Sequence, residues 1–201
     1  LEGMKKIQKI LLDFLDRSDD NEEYYQNLCT FIEEKQFTKD KSELKIFLNL
    51  LTRIANYHFR SSDFFCKIEK IIFDLKEDIM KLMTNSEIFN LFQSNKRILL
   101  FLIENKIIII DYYIYLKIYE KDNYLAYFYP EISDYSKNNK SEQLKLSSDK
   151  IKPIINTNIE DFKLKRKIGE NDAYICQLIR NDDIDNFISY FKKQHLYKLI
   201  Y

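Results

Sequence analysis

Apolar residues recur along most of this chain at intervals of three and four positions, the spacing that places them on one face of an α-helix. The first such stripe consists of Ile7, Ile10, Leu11, Phe14 and Leu15, and similar stripes cover 25–32, 44–55 and 64–82. Alternation of apolar and polar residues, which would indicate β-strands, is not sustained. The pattern therefore predicts an all-α fold of antiparallel helical hairpins joined by short polar loops.

Polar residues with N-cap chemistry precede several of these stripes. Asp20 with Glu23, and Asp40 with Glu43, have the spacing of a capping pair. The segment Ser61 to Asp63 is predicted to cap a single long helix that continues to Leu82.

Shorter elements are expected after Thr84. The spacing predicts helices at 88–92 and 98–103, then at 112–119 and 123–129, with the last one stopped by Pro130. The run Ile107 to Ile110 has β-propensity, but helical patterns flank it. We interpret it as a buried connection between helices, with Asp111 as the next N-cap.

The segment 169–191 has the pattern of a helix-turn-helix hairpin. Its first helix places Ile175, Leu178 and Ile179 on one face, Asn181 to Asp183 form the turn, and the second helix carries Ile184, Phe187, Ile188 and Phe191. An ungapped offset of 87 residues aligns this segment with 88–101, so that Leu91 meets Leu178 and Leu100 meets Phe187. This weak internal repetition predicts solenoid-like, ankyrin-type stacking toward the C-terminal half.

The predicted organisation has four parts. Residues 1–3 precede Met4 and are interpreted as a cloning remnant, and residues 4–130 form a helical domain. Residues 131–168 are polar and are predicted to be a flexible linker or loop with little helix. Residues 169–201 form the terminal hairpin.

Composition limits the classes of partner and the compartment. The 32 basic and 32 acidic side chains cancel, which makes nucleic acid a weak candidate. No secretory signal or membrane span is visible. Cys29, Cys66 and Cys176 are odd in number and form no Cys-x-x-Cys pair, so we expect buried thiols in a reducing cytoplasm.

Catalytic, cofactor-binding and metal-binding residues are not identified. His58 is interpreted as a partly buried structural histidine, because neither it nor His195 has a second ligand at helical spacing. The acidic groups at 19–23 and 182–185 are interpreted as helix caps rather than as sites. The basic residues at 163–167 are interpreted as a solvated stretch, with contact to RNA or an acidic lipid surface as the alternative.

Two segments resemble a known family. The run from Gly169 to Tyr190 and the run from Asn95 to Ile108 are similar to recurrent sequence segments of one domain. That domain precedes the ankyrin array in protozoan, trichomonad-type ankyrin-repeat proteins. The Thr-Pro-Leu-His signature of ankyrin repeats themselves is absent. The resemblance implies a non-enzymatic binding scaffold, and it supplies no catalytic residues.

The hypothesis that follows is a protein-interaction scaffold, the N-terminal or capping domain of an ankyrin-repeat-type protein. Its partner is a protein of unknown identity, and self-association through the C-terminal hairpin is expected. The alternatives are a helical-repeat nucleic-acid-binding module and, third, an enzyme whose site is assembled only in the fold. The candidate protein-binding residues are Gln177, Arg180, Asn181, Asn186, Phe191, Leu196 and Tyr197.

Overall fold

All regular secondary structure in the described part of the chain is helical. A computed structural model describes residues 2–17, 22–58, 63–138, 159–168, 178 and 182–193. Within these ranges no strand occurs, which confirms the all-α prediction. The chain divides into two compact units, Leu1–Leu146 and Ser147–Tyr201, which are described separately below.

The first unit contains ten helices among its described residues. Their bounds are α1 Glu2–Leu15, α2 Glu22–Glu34, α3 Lys41–Tyr57, α4 Phe64–Asp74, α5 Lys76–Leu82, α6 Asn85–Phe92, α7 Lys96–Glu104, α8 Tyr112–Tyr119, α9 Asp122–Tyr127 and α10 Tyr129–Asn138. The second unit contributes α11 Ile159–Ile168 and α12 Ile184–Lys193.

Helices of the first unit pack mostly on neighbours that are close in the sequence. Helix α1 contacts α2 and α4, and the pairs α3–α4, α6–α7 and α8–α9 each pack together. Contacts also join successive pairs, since α3 meets α6, α4 meets α7, and α6 meets α8. The pair α3–α4 therefore packs against α6–α7, and α6–α7 packs against α8–α9.

The core of this unit is built from the predicted apolar stripes. The largest completely buried side chains include Phe14, Phe47, Phe64, Phe89, Phe92 and Phe128. Lys67 is the exception to an apolar interior in α4, where its ammonium lies 2.9 Å from the Asp63 carboxylate and donates to the Arg17 carbonyl. A buried lysine is tolerated because both partners offset the loss of hydration.

The predicted N-caps of α3 and α8 are confirmed. The Asp40 carboxylate accepts from the backbone amides of Ser42 at 2.8 Å and Glu43 at 3.0 Å. Asp111 accepts from the Ile114 amide at 2.9 Å. Asp20, the other residue predicted to start a capping pair, lies outside the described residues.

Helices α6 and α7 have caps that the sequence analysis did not identify. Thr84 and Glu87 form a complete capping box at the start of α6. The Asn95 side chain accepts from the Ile98 amide at 3.1 Å and so caps α7. The Thr-x-x-Glu spacing at 84–87 is visible in the sequence and is the signal that would have identified the first of them.

Left-handed residues end α2 and α7 and also occur in the turn that precedes α12, and none of these residues is glycine. Gln36, Lys106 and Asp182 have φ values of 55°, 57° and 52°. In each case the next residue's amide donates to a carbonyl five positions earlier, as in a Schellman motif. The Ile107 amide, for example, donates to the Leu102 carbonyl at 2.9 Å.

The predicted long helix over 64–82 is wrong in one respect, because it is broken at Leu75. Helix α4 ends at Asp74 and α5 begins at Lys76, with Leu75 at φ −90° and ψ 2°. The apolar stripe continues across this residue, and Leu75 and Ile79 are both buried. Spacing alone therefore gave no sign of the break.

The Ile107 to Ile110 segment is a connection between helices, as predicted, but it is only partly buried. Ile107 and Ile108 are buried, whereas the Ile109 side chain is 67% exposed. The Asn85 side chain holds this segment by donating to the Ile109 carbonyl at 2.7 Å and accepting from the Ile109 amide at 3.0 Å.

The segment 131–168 contains more helix than predicted. Helix α10 runs through Pro130 to Asn138, and α11 occupies Ile159–Ile168. Pro130 is the second residue of α10, a position where proline is tolerated because the first-turn amides need no helical acceptor. At the other end of the chain, Glu2 and Gly3 from the predicted remnant belong to α1.

Candidate interaction surfaces

A groove lined mainly by apolar side chains lies along α12 in the second unit. It is lined by Leu178, Asp182, Asp183, Ile184, Phe187 and Ile188, and its volume is about 400 Å³. Of these lining residues Leu178 is buried, while Ile184 is 61% and Ile188 43% exposed. Exposed apolar side chains that line one groove are typical of a docking surface.

Of the seven candidate binding residues from the sequence, only Asn186 has a described side chain. Asn186 is exposed, but its amide nitrogen donates to the Asp183 carboxylate at 2.8 Å, within the N-cap of α12. Phe191 belongs to α12, and its side chain is not described. Gln177, Arg180, Asn181, Leu196 and Tyr197 lie outside the described residues.

The cap of α12 changes by one residue the offset of the internal repetition predicted from the sequence. Asp183 caps α12 by accepting from the Asn186 amide at 3.2 Å, and Asn95 caps α7. These two caps are 88 positions apart, one more than the offset of the alignment (183 − 95 = 88). Counted from the caps, Phe187 corresponds to Leu99 rather than to Leu100. Asp182 is left-handed, whereas none of residues 93–95, in the turn before α7, has a positive φ.

A second pocket, of about 230 Å³, lies between α2 and the α4–α5 break in the first unit. Its apolar walls are Leu28, Ile32, Ile71 and Leu75, and its polar lining consists of Tyr25, Cys29, Glu33, Thr38, Asp74 and Asp78. The Tyr25 hydroxyl donates to the Asp74 carboxylate, which is 49 positions away in the sequence. No local spacing could have brought these residues together before the fold was known.

Burial controls the ionisation of the two weak acids in this second pocket. It raises the pKa of the Tyr25 hydroxyl, and the hydrogen bond to Asp74 raises it further. Burial also raises the pKa of the Cys29 thiol, and the Asp74 and Glu33 charges act in the same direction. Both groups are therefore neutral near pH 7, so the negative charge of the pocket comes from its carboxylates.

A third groove, of about 340 Å³, lies between α1 and α3 and contains His58. The Nε2 atom of His58 lies 2.8 Å from Oδ1 of Asp16, a residue 42 positions away. His58 is partly buried, as the sequence analysis expected, and it joins the C-terminal ends of two helices. Tyr57 beside it is 86% exposed.

Several cations in the described ranges lie over aromatic rings of the same chain. The Arg17 guanidinium is 3.7 Å from the Tyr24 ring centroid, and the Lys96 ammonium is 5.0 Å from that of Tyr124. In the basic stretch predicted at 163–167, Lys163 pairs with Glu160 at 3.1 Å and Arg166 is buried against Phe162. These side chains contribute to local packing, as expected for cation–π contacts.

The thiols differ from the expectation of buried cysteines. Cys66 is exposed and Cys29 is partly buried, both as free thiols, while Cys176 lies outside the described residues. Among the residues that the structure describes, no three potential ligands of the His, Cys, Asp and Glu types come close enough to hold a metal ion. In the same residues no helix has the length and hydropathy needed to cross a bilayer.

Comparison of the chain with protein families, with curated proteins and with solved structures finds no match.

Proposed function

We propose that this chain is a non-enzymatic protein-interaction scaffold whose helical hairpins stack as in a solenoid. The observation that carries the proposal is the order of helix contacts in the first unit. The pairs α3–α4, α6–α7 and α8–α9 each pack internally. The first pair contacts the second through α3 with α6 and α4 with α7, and the second contacts the third through α6 with α8. Stacked hairpins produce extended surfaces that bind other proteins.

Side-chain hydrogen bonds between successive pairs support this stacking. The Asn95 amide donates to the Asn56 side chain at 3.0 Å, which joins the turn before α7 to the end of α3. The Tyr113 hydroxyl donates to the Asn90 side chain at 3.1 Å, which joins α8 to α6. Such contacts fix the register of one pair against its neighbour and favour a regular stack.

The proposed stack departs from the regular spacing of ankyrin repeats. The caps of α6 and α8 are 27 positions apart (111 − 84 = 27), whereas an ankyrin repeat has about 33 residues. We therefore propose a capping domain beside an ankyrin-type array rather than a set of ankyrin repeats. An end domain needs no strict period, because only one of its faces must match the array.

The stacking proposal can be tested by local destabilisation. Ile114→Ala in α8 removes a completely buried side chain. In a solenoid-like stack the loss stays near the altered pair, so amide exchange should accelerate in α8 and α9 while α1 and α2 remain protected. Equal acceleration in all these helices would contradict the stack and indicate one cooperative globule.

The binding proposal can be tested on the α12 groove with a matched control. The double variant Ile184→Ser/Ile188→Ser removes its exposed apolar side chains, and Ile46→Ser/Ile109→Ser removes two exposed isoleucines elsewhere, which are 42% and 67% exposed. We expect the first variant to abolish self-association in light scattering and to lose proteins captured by the wild-type chain. The control variant should keep both properties. A wild-type chain that stays monomeric and captures only RNA, lost on ribonuclease treatment, would favour the nucleic-acid alternative.

A further inference from the structure

The pocket between α2 and the α4–α5 break, here called the acidic pocket, has an unusual charge for its position. Two of its carboxylates, Glu33 and Asp74, belong to the last turns of α2 and α4, and neither turn contains a basic residue. The C-terminal end of a helix carries a partial negative charge and is stabilised by cations. Here the side-chain charge adds to that of the helix ends instead of compensating it.

The acidic pocket combines this charge with an apolar floor. Leu28 is completely buried, Ile71 is 2% exposed, and Leu75, at the break between α4 and α5, is 8% exposed. The rim carries Glu33, Asp74 and Asp78, and none of the residues that line the cavity is Lys, Arg or His. A ligand that matches both features needs an aliphatic part and a positive end.

Lys70 does not line the cavity, but it contacts the lining residue Tyr25, and its charge opposes in part the raised pKa of the Cys29 thiol. The Lys70 ammonium lies 3.8 Å from the centroid of the Tyr25 ring, on which it stacks. It also lies 3.4 Å from the Glu22 carboxylate, so that its charge is shared with an acidic residue that does not line the cavity. Three rim carboxylates therefore remain without a basic residue in the cavity itself.

The size of the cavity suits one long side chain. Its volume of about 230 Å³ is below the range of about 300–1,000 Å³ that is typical of pockets for drug-sized ligands. A lysine buries its four-carbon stem against apolar surface and keeps a compact ammonium in contact with water. Arginine fits less well, because its planar guanidinium is best matched by a bidentate carboxylate, and the Asp74 carboxylate is already oriented by Tyr25.

We propose that the acidic pocket receives a lysine side chain of a partner protein, with the stem on the apolar floor and the ammonium at the rim carboxylates. The proposal rests on the proposed scaffold function and specifies the chemistry of one partner contact. Charge complementarity identifies the occupant as cationic, and the apolar floor distinguishes a lysine from a hydrated metal ion.

A pair of short peptides tests the occupant. Blocked Ala-Leu-Lys-Leu-Ala is titrated into the isotope-labelled full chain, beside the same peptide with norleucine in place of lysine. We expect methyl shifts at Leu28, Ile71 and Leu75, with binding about tenfold weaker for the norleucine peptide, since a charge-assisted hydrogen bond is lost. Equal binding of both peptides would overturn the proposal. Binding of butylammonium without binding of the lysine peptide would also overturn it, because it would indicate a small-cation site.

Two charge-matched double variants test the rim. Glu33→Gln/Asp78→Asn neutralises two carboxylates that line the cavity, while Glu34→Gln/Glu77→Gln neutralises their sequence neighbours, which do not line it. Asp74 is left intact because it accepts the Tyr25 hydrogen bond. We expect the first variant to lose binding of the lysine peptide and the second to retain it, with the folded amide spectrum unchanged in both. Equal losses would assign the effect to overall charge and would contradict a specific pocket.

Failure of this proposal and failure of the scaffold function give different results. If the chain self-associates through α12 but does not bind the lysine peptide, the scaffold stands and the acidic pocket is not its contact. If the chain neither self-associates nor captures a protein, and the peptide still binds, the pocket stands without the scaffold.

Discussion

Ile98, Leu99 and Leu102 of α7 are completely buried, whereas Ile184 and Ile188 of α12 are 61% and 43% exposed. Both helices follow a polar cap, Asn95 or Asp183, and both present apolar residues at helical spacing. Helix α7 packs on α6 and α4. The comparison shows that apolar spacing determines which residues share a face, while burial depends on a neighbour that the local sequence does not encode.

The comparison leads first to a pair of core and surface substitutions. Leu99→Ala removes a completely buried side chain and should reduce the free energy of unfolding by about 2–5 kcal/mol. Ile184→Ala on α12 should change it by about 0.5 kcal/mol or less. Urea unfolding, combined with amide exchange of the helix that carries the change, gives both values. Similar losses at the two sites would show that the α12 face is covered in solution.

A second prediction concerns the side-chain hydrogen bonds of α6 and α12. Asn85 makes two hydrogen bonds to the backbone of Ile109, 24 positions away, whereas among the described residues Asn186 bonds to Asp183, in its own cap. Asn85→Ala should therefore reduce stability by about 1–3 kcal/mol, because each of the two lost bonds contributes about 0.5–1.5 kcal/mol. Asn186→Ala should cost less than half as much. An equal cost in denaturant unfolding would show that the Asn85 bonds are not maintained in solution.

The helices and some of their caps were predictable because their causes are local, although Asp63, predicted to cap α4, makes no side-chain cap hydrogen bond. The 3.6-residue spacing defined α1, α3 and α8, and Asp40 and Asp111 cap the helices that the sequence assigned to them. Pro130 was interpreted as a stop although it lies in the first turn of α10, since both positions suit a residue without an amide hydrogen. The break at Leu75 was missed because a continuous apolar stripe describes one helix as well as two.

The candidate surfaces were predictable only in part. The sequence pattern placed Ile184 and Ile188 together on the apolar stripe of α12, but it did not indicate that both side chains are exposed. The acidic pocket was not expected, because its contact between Tyr25 and Asp74 joins residues 49 positions apart. Pairing at such a distance follows from the packing of α2 against its neighbours, which no single stretch of sequence specifies.

A third prediction compares the left-handed residues of the two regions. Lys106 ends α7 at φ 57°, and Asp182 occupies the turn before α12 at φ 52°. Lys106→Gly should stabilise the protein by about 0.5–1 kcal/mol. The left-handed conformation costs a residue with a Cβ about 1–2 kcal/mol, which glycine avoids. Part of this gain is lost because glycine has more conformational entropy than lysine in the unfolded chain. Asp182→Gly should give a smaller gain, since aspartate tolerates this region. Thermal unfolding of the two variants checks the order, and a larger gain at Asp182 would contradict it.

The smallest expected effect concerns the charged link between α6 and α3, which has no described counterpart at α12. The Lys41 ammonium, 2.8 Å from the Glu87 carboxylate, lowers the Glu87 pKa from its ordinary value of 4.5 to about 2, with help from the Thr84 amide. A carboxylate whose pKa is lower in the folded state stabilises above its unfolded pKa, and this contribution is lost as the pH falls from about 4.5 to about 2.

Glu87→Gln retains the capping box geometry and removes the charge, so the variant should melt below the wild type at pH 6. The two melting temperatures should approach each other as the pH falls toward 2, where Glu87 is protonated in the unfolded state and about half protonated in the folded state. In a Lys41→Met background, which removes the first cause of the lowered pKa, the difference at pH 6 should shrink. A gap that stays constant from pH 6 to pH 2 would show that the glutamate acts through its shape, and α6 would then be held to α3 by packing alone.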